Sequence, residues 1–210
     1  MNSTLNFEPS TFNLQPSTFN LQPSTTHVKN FNLKNIDSSW TLFIDRDGVV
    51  NEEKHEDYIH TWNEFQFYGG VKEAFKIFNE TFGIIVMITN QRGVAKGLTK
   101  AEDLQIIHAN MLQEIKDAGG RIDEIYVCTE MESENRKPKT GMGLQAVKDF
   151  PKIDLSKSIM IGNTLSDMKF GRNLGVTINI FLPTTRKDVA LDDEDIDLVF
   201  NDLISAAKAL

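Results

Sequence analysis

The sequence predicts a three-layer α/β/α fold built on a parallel sheet, and three observations carry that prediction. Short apolar runs alternate along the chain with segments of helical spacing. One run, Gly-Ile-Ile-Val-Met-Ile-Thr at 83–89, is apolar throughout, as a strand covered on both faces must be. Another, Thr41-Leu42-Phe43-Ile44, ends abruptly in Asp45-Arg46-Asp47-Gly48. Two acids at i and i+2, with a glycine to turn the chain, belong at the carboxyl edge of an open sheet, where such folds bind ligands.

The elements follow in order. A strand is expected at 41–45. Val71, Ala74, Phe75 and Phe78 have helical spacing and define a helix at 70–81. The second strand is 83–89. Thr99, with Glu102 three residues on, reads as a capping box opening a helix that runs to about 118, where Gly119-Gly120 stops it. A strand at 122–128, a helix at 143–150, a strand at 158–161, a helix at 166–174 and a strand at 176–181 continue the alternation. A short edge strand at 195–200 and a helix at 202–210 close it. No insertion is long enough for a large cap domain. The segments 51–68 and 128–136 are the longest that could cover a site.

Composition narrows the function classes. The chain has 210 residues, 40% of them hydrophobic, enough for one domain with a substantial core. A net charge of −8 argues against nucleic acid as a partner, because phosphate-backbone binding needs a basic face. No apolar run approaches the length of a membrane span. One cysteine, Cys128, excludes an intrachain disulfide and suits a reducing cytoplasm. A monomer is expected.

The N-terminus differs from the rest. Pro9-Ser10-Thr11-Phe12-Asn13-Leu14-Gln15 recurs at 16–22, and a third copy starts at Pro23. Polar, proline-broken units of this kind do not run as a coiled-coil helix. We expect residues 1–38 to be a low-complexity, disordered tail and 39–210 to be the folded domain. An exact repeat also fits repeated DNA read as coding sequence, with the biological start later, near Val28 or Leu33.

Four polar clusters each follow a predicted strand and so converge on one sheet edge. They are Asp45 and Asp47; Thr89-Asn90-Gln91-Arg92-Gly93; Arg136-Lys137-Pro138-Lys139; and Gly162-Asn163-Thr164-Leu165-Ser166-Asp167. Two carboxylates so close call for a cation or a shared proton. A magnesium site with an aspartate nucleophile and a neighbouring acid/base has this chemistry.

These four clusters resemble the motifs of the haloacid dehalogenase superfamily. Phe-Ile-Asp-Arg-Asp-Gly-Val-Val-Asn, Ile-Thr-Asn-Gln-Arg-Gly-Val-Ala-Lys-Gly and Arg-Lys-Pro-Lys-Thr-Gly-Met are more narrowly similar to the branch of heptose-1,7-bisphosphate and histidinol phosphatases. The resemblance spans roughly residues 39–183. It implies a Rossmann-like fold and Mg²⁺-dependent hydrolysis of a small phosphorylated sugar through an aspartyl-phosphate. Asp45 would attack phosphorus. Asp47 would act as acid and then base, with a pKa raised by the crowded site. Lys137 would offset the charge. Thr89, Asn90, Arg92 and Arg136 would bind substrate, and Asp45, Asp47, Asn163 and Asp167 would serve the metal. Lys96 and Lys139 are further candidates for a second phosphate, and Tyr58 and Trp62 for packing against a sugar.

Two positions depart from the pattern. The resemblance places an aspartate where this chain has Asn163, which can offer an oxygen but no charge. The zinc loop common in the branch, with three cysteines and a histidine, has no counterpart in 128–136, so no zinc is expected. The 7-phosphate of a heptose bisphosphate is the first substrate expectation, with histidinol phosphate next. A phosphosugar-binding protein weakened by Asn163 and a phospho-receiver domain are rivals of other classes. His55, His60 and His108 read as surface or packing residues, and Cys128 as a buried small side chain.

Overall fold

The computed structural model describes residues 31–54, 57–185 and 189–210, so the seven-residue repeats and His55 lie outside the described residues. Six parallel strands are arranged β3-β2-β1-β4-β5-β6. They are β1 (Thr41–Ile44), β2 (Ile84–Asn90), β3 (Glu124–Cys128), β4 (Ser158–Gly162), β5 (Ile178–Phe181) and β6 (Leu198–Val199). From β1 the chain winds outward through β2 and β3, then returns to the other side of β1 for β4, β5 and β6. This reversal opens a crevice at the carboxyl ends of β1 and β4. Asp45 emerges there, its backbone N–H donating to the Ile161 carbonyl at 3.0 Å.

A parallel sheet must bury both faces, and the strands alternate accordingly. Leu42, Ile44, Ile85, Met87, Ile159 and Ile161 point into one core. That core is covered by α1 (Val71–Thr81), α3 (Ala101–Asp117) and α6 (Leu203–Ala209). Phe43, Val86, Ile88 and Met160 point into the other, covered by α4 (Gly141–Asp149) and α5 (Leu165–Leu174). The three layers expected from the alternation are present.

Several elements differ from the sequence expectation. A one-turn helix, α2 (Arg92–Ala95), follows β2 where a loop was expected. The capping box at Thr99 does not form. Lys100 occupies the N-cap of α3 without a side-chain bond, and the Thr99 hydroxyl pairs with His60 Nδ1 at 3.0 Å. Thr99 is buried, so a tertiary partner has taken the hydroxyl that a local cap would have used. Residues 31–38, assigned to the tail on composition, carry a 3₁₀ turn at Leu33–Asn35, and Ile36 is buried in the α1 core. The packed unit therefore includes residues before the expected boundary at 39. Trp62 stacks on Phe65 at 5.0 Å, meets Phe67 edge-on and packs half-buried against the α1 core.

Phe78 sits edge-on between Phe75 and Phe82, with ring centroids 5.8 and 5.9 Å away, and is fully buried. Phe78→Ala removes both ring contacts and leaves a cavity. We expect a loss of about 3–5 kcal/mol, read as a lower urea midpoint with an unchanged slope.

Candidate active site

Lys137 occupies the centre of the crevice. Its ammonium reaches Asp45 Oδ1 at 2.7 Å, Asp167 Oδ1 at 2.6 Å and the Ile88 carbonyl at 2.7 Å, so all three N–H bonds are used. All three charged groups are buried. Asn90 sets the lysine's position: its amide accepts from the Lys137 N–H at 3.1 Å and donates to the Lys137 carbonyl at 3.2 Å. The sequence assigned Asn90 to substrate. It does line the cavity, and its side chain also pins the loop that carries Lys137.

Asp167 is placed by the start of α5. Thr164 is the N-cap, and the two residues form a capping box. Asp167 Oδ2 accepts from the Thr164 N–H at 3.0 Å and its hydroxyl at 2.7 Å. A Cβ on Gly162 would lie 2.2 Å from the Asp167 Cβ, so glycine is what lets this carboxylate tuck against β4. With one oxygen in the cap and the other on Lys137, Asp167 orients the lysine. Its expected role as a direct metal ligand would have to share Oδ1 with Lys137.

The expected pKa pattern is inverted. Burial and the neighbouring Asp167 push Asp45 up to about 7 against the pull of Lys137. Asp47, expected to be raised, is lowered. Burial acts to raise it, but Arg46 outweighs that effect, with help from Asn51 and Gln91. The Arg46 guanidinium folds back onto its own neighbour, reaching Asp47 at 2.8 Å. It also donates to Gln91 Oε1 at 3.2 Å and meets His108 Nε2 at 2.9 Å. Burial and Arg46 hold His108 down to about 3, so the imidazole is neutral and accepts from Arg46. Arg46, Gln91 and His108 were not recognised from sequence as site residues. The available signal was spacing: His108 follows Leu104 by four and precedes Met111 by three, which places it on the buried face of α3.

The cavity has a volume of about 450 Å³ and is lined by Asp45, Asp47, Glu53, Tyr58, Arg136 and Ser166 among others. Thr89 is not in its wall. It is fully buried beneath Gln91, which donates to its hydroxyl at 2.7 Å. Arg136 lines the cavity, and the Arg92 guanidinium is close enough to reinforce the effect of burial in lowering its pKa. Arg92 Nε and Arg136 Nη1 are buried without a hydrogen-bond partner. Of the other candidate phosphate ligands, Lys96 lies over the Tyr58 ring at 5.4 Å and Lys139 pairs with Glu134 at 2.9 Å.

Asn163 is fully buried beside Gly48, whose φ is +78°. A Cβ on Gly48 would fall 1.9 Å from the Asn163 amide nitrogen, so the loop after β1 and the loop after β4 can meet only at a glycine. The Asn163 Oδ1 has no hydrogen-bond partner. An orphaned amide oxygen and a carboxyl raised to about 7 by burial and a neighbouring carboxylate suit a hard divalent cation. Among the described residues no three His, Cys, Asp or Glu side chains are grouped to hold a metal. A cation here would depend on one carboxylate, the amide oxygen, main-chain oxygen and water.

The fold and this arrangement define a haloacid dehalogenase-like phosphatase. The sequence model described as polynucleotide kinase 3 phosphatase matches residues 33–204, and the chain belongs to that family. Its relatives include the D-glycero-alpha-D-manno-heptose-1,7-bisphosphate 7-phosphatase of Campylobacter jejuni, 37% identical over 70% of this chain and 84% of that protein. The corresponding beta-anomer enzyme of Haemophilus influenzae is 31% identical over 80% and 95%. The crystal structure of the D,D-heptose 1,7-bisphosphate phosphatase from B. bronchiseptica, complexed with magnesium and phosphate, superposes with a TM-score of 0.73. Its identity is 26%, over 80% of this chain and 96% of that one. Among the described residues no helix is long and apolar enough to cross a membrane.

Asp45 titrates near 3.8 in the unfolded chain and about 7 in the fold. Between those values the folded state binds more protons, so this group's contribution to stability falls as pH rises through the window. His108 acts oppositely. Its pKa falls from 6.5 to about 3, and stability is lost as pH drops between them. Asp45→Asn should therefore raise the melting temperature of metal-free protein at pH 8, by ~2 °C or more, and by less at pH 5. Thermal melts in chelator check this.

Proposed function

We propose that this phosphatase removes the 7-phosphate of a D-glycero-D-manno-heptose 1,7-bisphosphate, with Mg²⁺ as cofactor. The observation that carries the bisphosphate is the pair Arg92 and Arg136. Arg136 lines the cavity with Arg92 close behind it, each has an orphaned N–H group, and among the described residues no carboxylate is paired with either. They match a second phosphate, which histidinol phosphate lacks. A polynucleotide substrate is disfavoured by the net charge of −8. The buried free thiol of Cys128 suits a cytoplasmic location.

In this reading an Asp45 oxygen attacks phosphorus and the bond to the sugar oxygen breaks, leaving an aspartyl-phosphate. Asp47 gives its proton to that leaving oxygen. Water then attacks phosphorus, Asp47 takes its proton, and Asp45 is regenerated with inorganic phosphate. The clamp on Asp47 suits the second half, which needs an ionised base. For the first half, the arriving phosphate dianion raises the carboxyl's affinity for a proton and opposes Arg46. Lys137 holds Asp45 at 2.7 Å and faces the charge that builds on the transferred group. Asp45, the Asp47 main-chain carbonyl and Asn163 would hold Mg²⁺, which supplies charge neutralisation at the phosphoryl oxygens.

Phosphate release from the heptose bisphosphate and from histidinol phosphate, with and without Mg²⁺, tests the reading. Mg²⁺-dependent release from the bisphosphate, abolished in Asp45→Asn, is expected. Release from histidinol phosphate alone would overturn the substrate. Arg136→Ala should raise KM for the bisphosphate about 10- to 100-fold, the worth of one or two charged hydrogen bonds. It should change kcat little.

A further inference from the structure

Asn163 leaves the proposed metal site one charge short, and the structure places a carboxylate beside it. Glu53, in the loop after β1, lines the same cavity and brings Oε2 to 3.5 Å from the Asn163 amide nitrogen. That nitrogen also donates to the Thr185 hydroxyl at 2.7 Å. The Glu53 contact requires an N–H donor, because a carboxylate repels an amide oxygen, whereas the Thr185 hydroxyl can pair with either end. Glu53 therefore fixes which end of the amide is which. The end left over is Oδ1, buried and unpartnered, in a residue with no exposed surface. An isolated buried acceptor costs free energy that a cation ligand would recover.

We propose that Glu53 supplies the negative charge that Asn163 lacks, acting through the Asn163 amide on a divalent cation held at Asp45. It is a positioning residue. It turns Oδ1 into an available ligand and adds its charge one shell out. Groups behind a metal ligand commonly govern affinity in this way, by 10- to 100-fold. The resemblance offers Asp167 and Asp47 as the other carboxylates for the metal. Both are committed elsewhere, Asp167 to Lys137 and Thr164, Asp47 to Arg46. Glu53 is half-buried and, among the described residues, its one side-chain hydrogen bond is to Asn163. The inference rests on the Mg²⁺-dependent reading above.

The test is Mg²⁺ affinity by isothermal titration calorimetry, with Mn²⁺ as a second probe followed by its free-ion resonance. It is done on the full chain without substrate. Wild type, Glu53→Gln, Glu53→Asp, Asn163→Asp and the Glu53→Gln/Asn163→Asp double variant are compared, each checked for folding by circular dichroism. Glu53→Gln should weaken binding about 10-fold or more, and Glu53→Asp, with charge kept and reach shortened, should weaken it less. In the Asn163→Asp background the same Glu53→Gln change should cost under about threefold, because a carboxylate at 163 needs neither orienting nor compensation. Unchanged affinity in Glu53→Gln overturns the proposal, as does an equal loss in both backgrounds. A Glu53→Gln variant that alters only KM for the phosphosugar would make Glu53 a substrate contact and also overturn it. If wild type binds neither metal, the Mg²⁺ reading itself fails. Metal binding that ignores Glu53 defeats only the inference.

Discussion

Everything at the crevice depends on one ammonium group. Lys137 lies between two buried carboxylates and a main-chain carbonyl, each within 2.7 Å. Buried charges are costly unless they are paired and hydrogen-bonded. Here each partner is itself held by a separate element. Asp45 is fixed at the end of β1 against β4, Asp167 by the cap of α5, and the Ile88 carbonyl by β2. The loop bearing Lys137 is pinned to Asn90 at the end of β2. The sheet, the second-face helix and two loops therefore meet at a single nitrogen. A change in any one of them is felt at Asp45.

A second clamp sits behind the first. Arg46 is fully buried and is held by Gln91 and a neutral His108 from α3 while it grips Asp47. The two acids of the first motif thus experience opposite fields. Asp45 is crowded by Asp167 in a dry pocket and holds its proton. Asp47 is beside a guanidinium and gives its proton up. Two carboxyls two residues apart are thus pushed in opposite directions by the charges each meets, and not by their shared position at the strand end. Three buried or half-buried carboxylates face two cations here, which leaves room for a divalent ion to balance the site and its phosphate.

Much of this protein is local. The alternation of apolar runs and helical spacing already contained the layered sheet, because an all-apolar strand such as 84–88 has no stable place except between two helix layers. The four polar clusters fell on one edge because each follows a parallel strand and parallel strands share a direction. Asp45, Asp47 and Lys137 were legible for that reason. So was the distinction of Asn163, since an amide cannot carry the charge of a carboxylate wherever it lies.

What the chain's order could not contain was the identity of partners distant in sequence. Thr99 had every local sign of a helix cap, yet His60, 39 residues earlier, has its hydroxyl. Trp62 had the makings of a sugar platform, and its ring contacts are with Phe65 and Phe67. Asp47 was expected to be crowded upward in pKa, and Arg46, folding back with His108 behind it, reverses the sign. The residue types, their spacing along strands and the chemistry they permit were determined by the sequence alone. Which oxygen meets which nitrogen was decided only by tertiary structure, because a hydrogen bond or ion pair acts over about 3 Å and sequence separation says nothing about that distance.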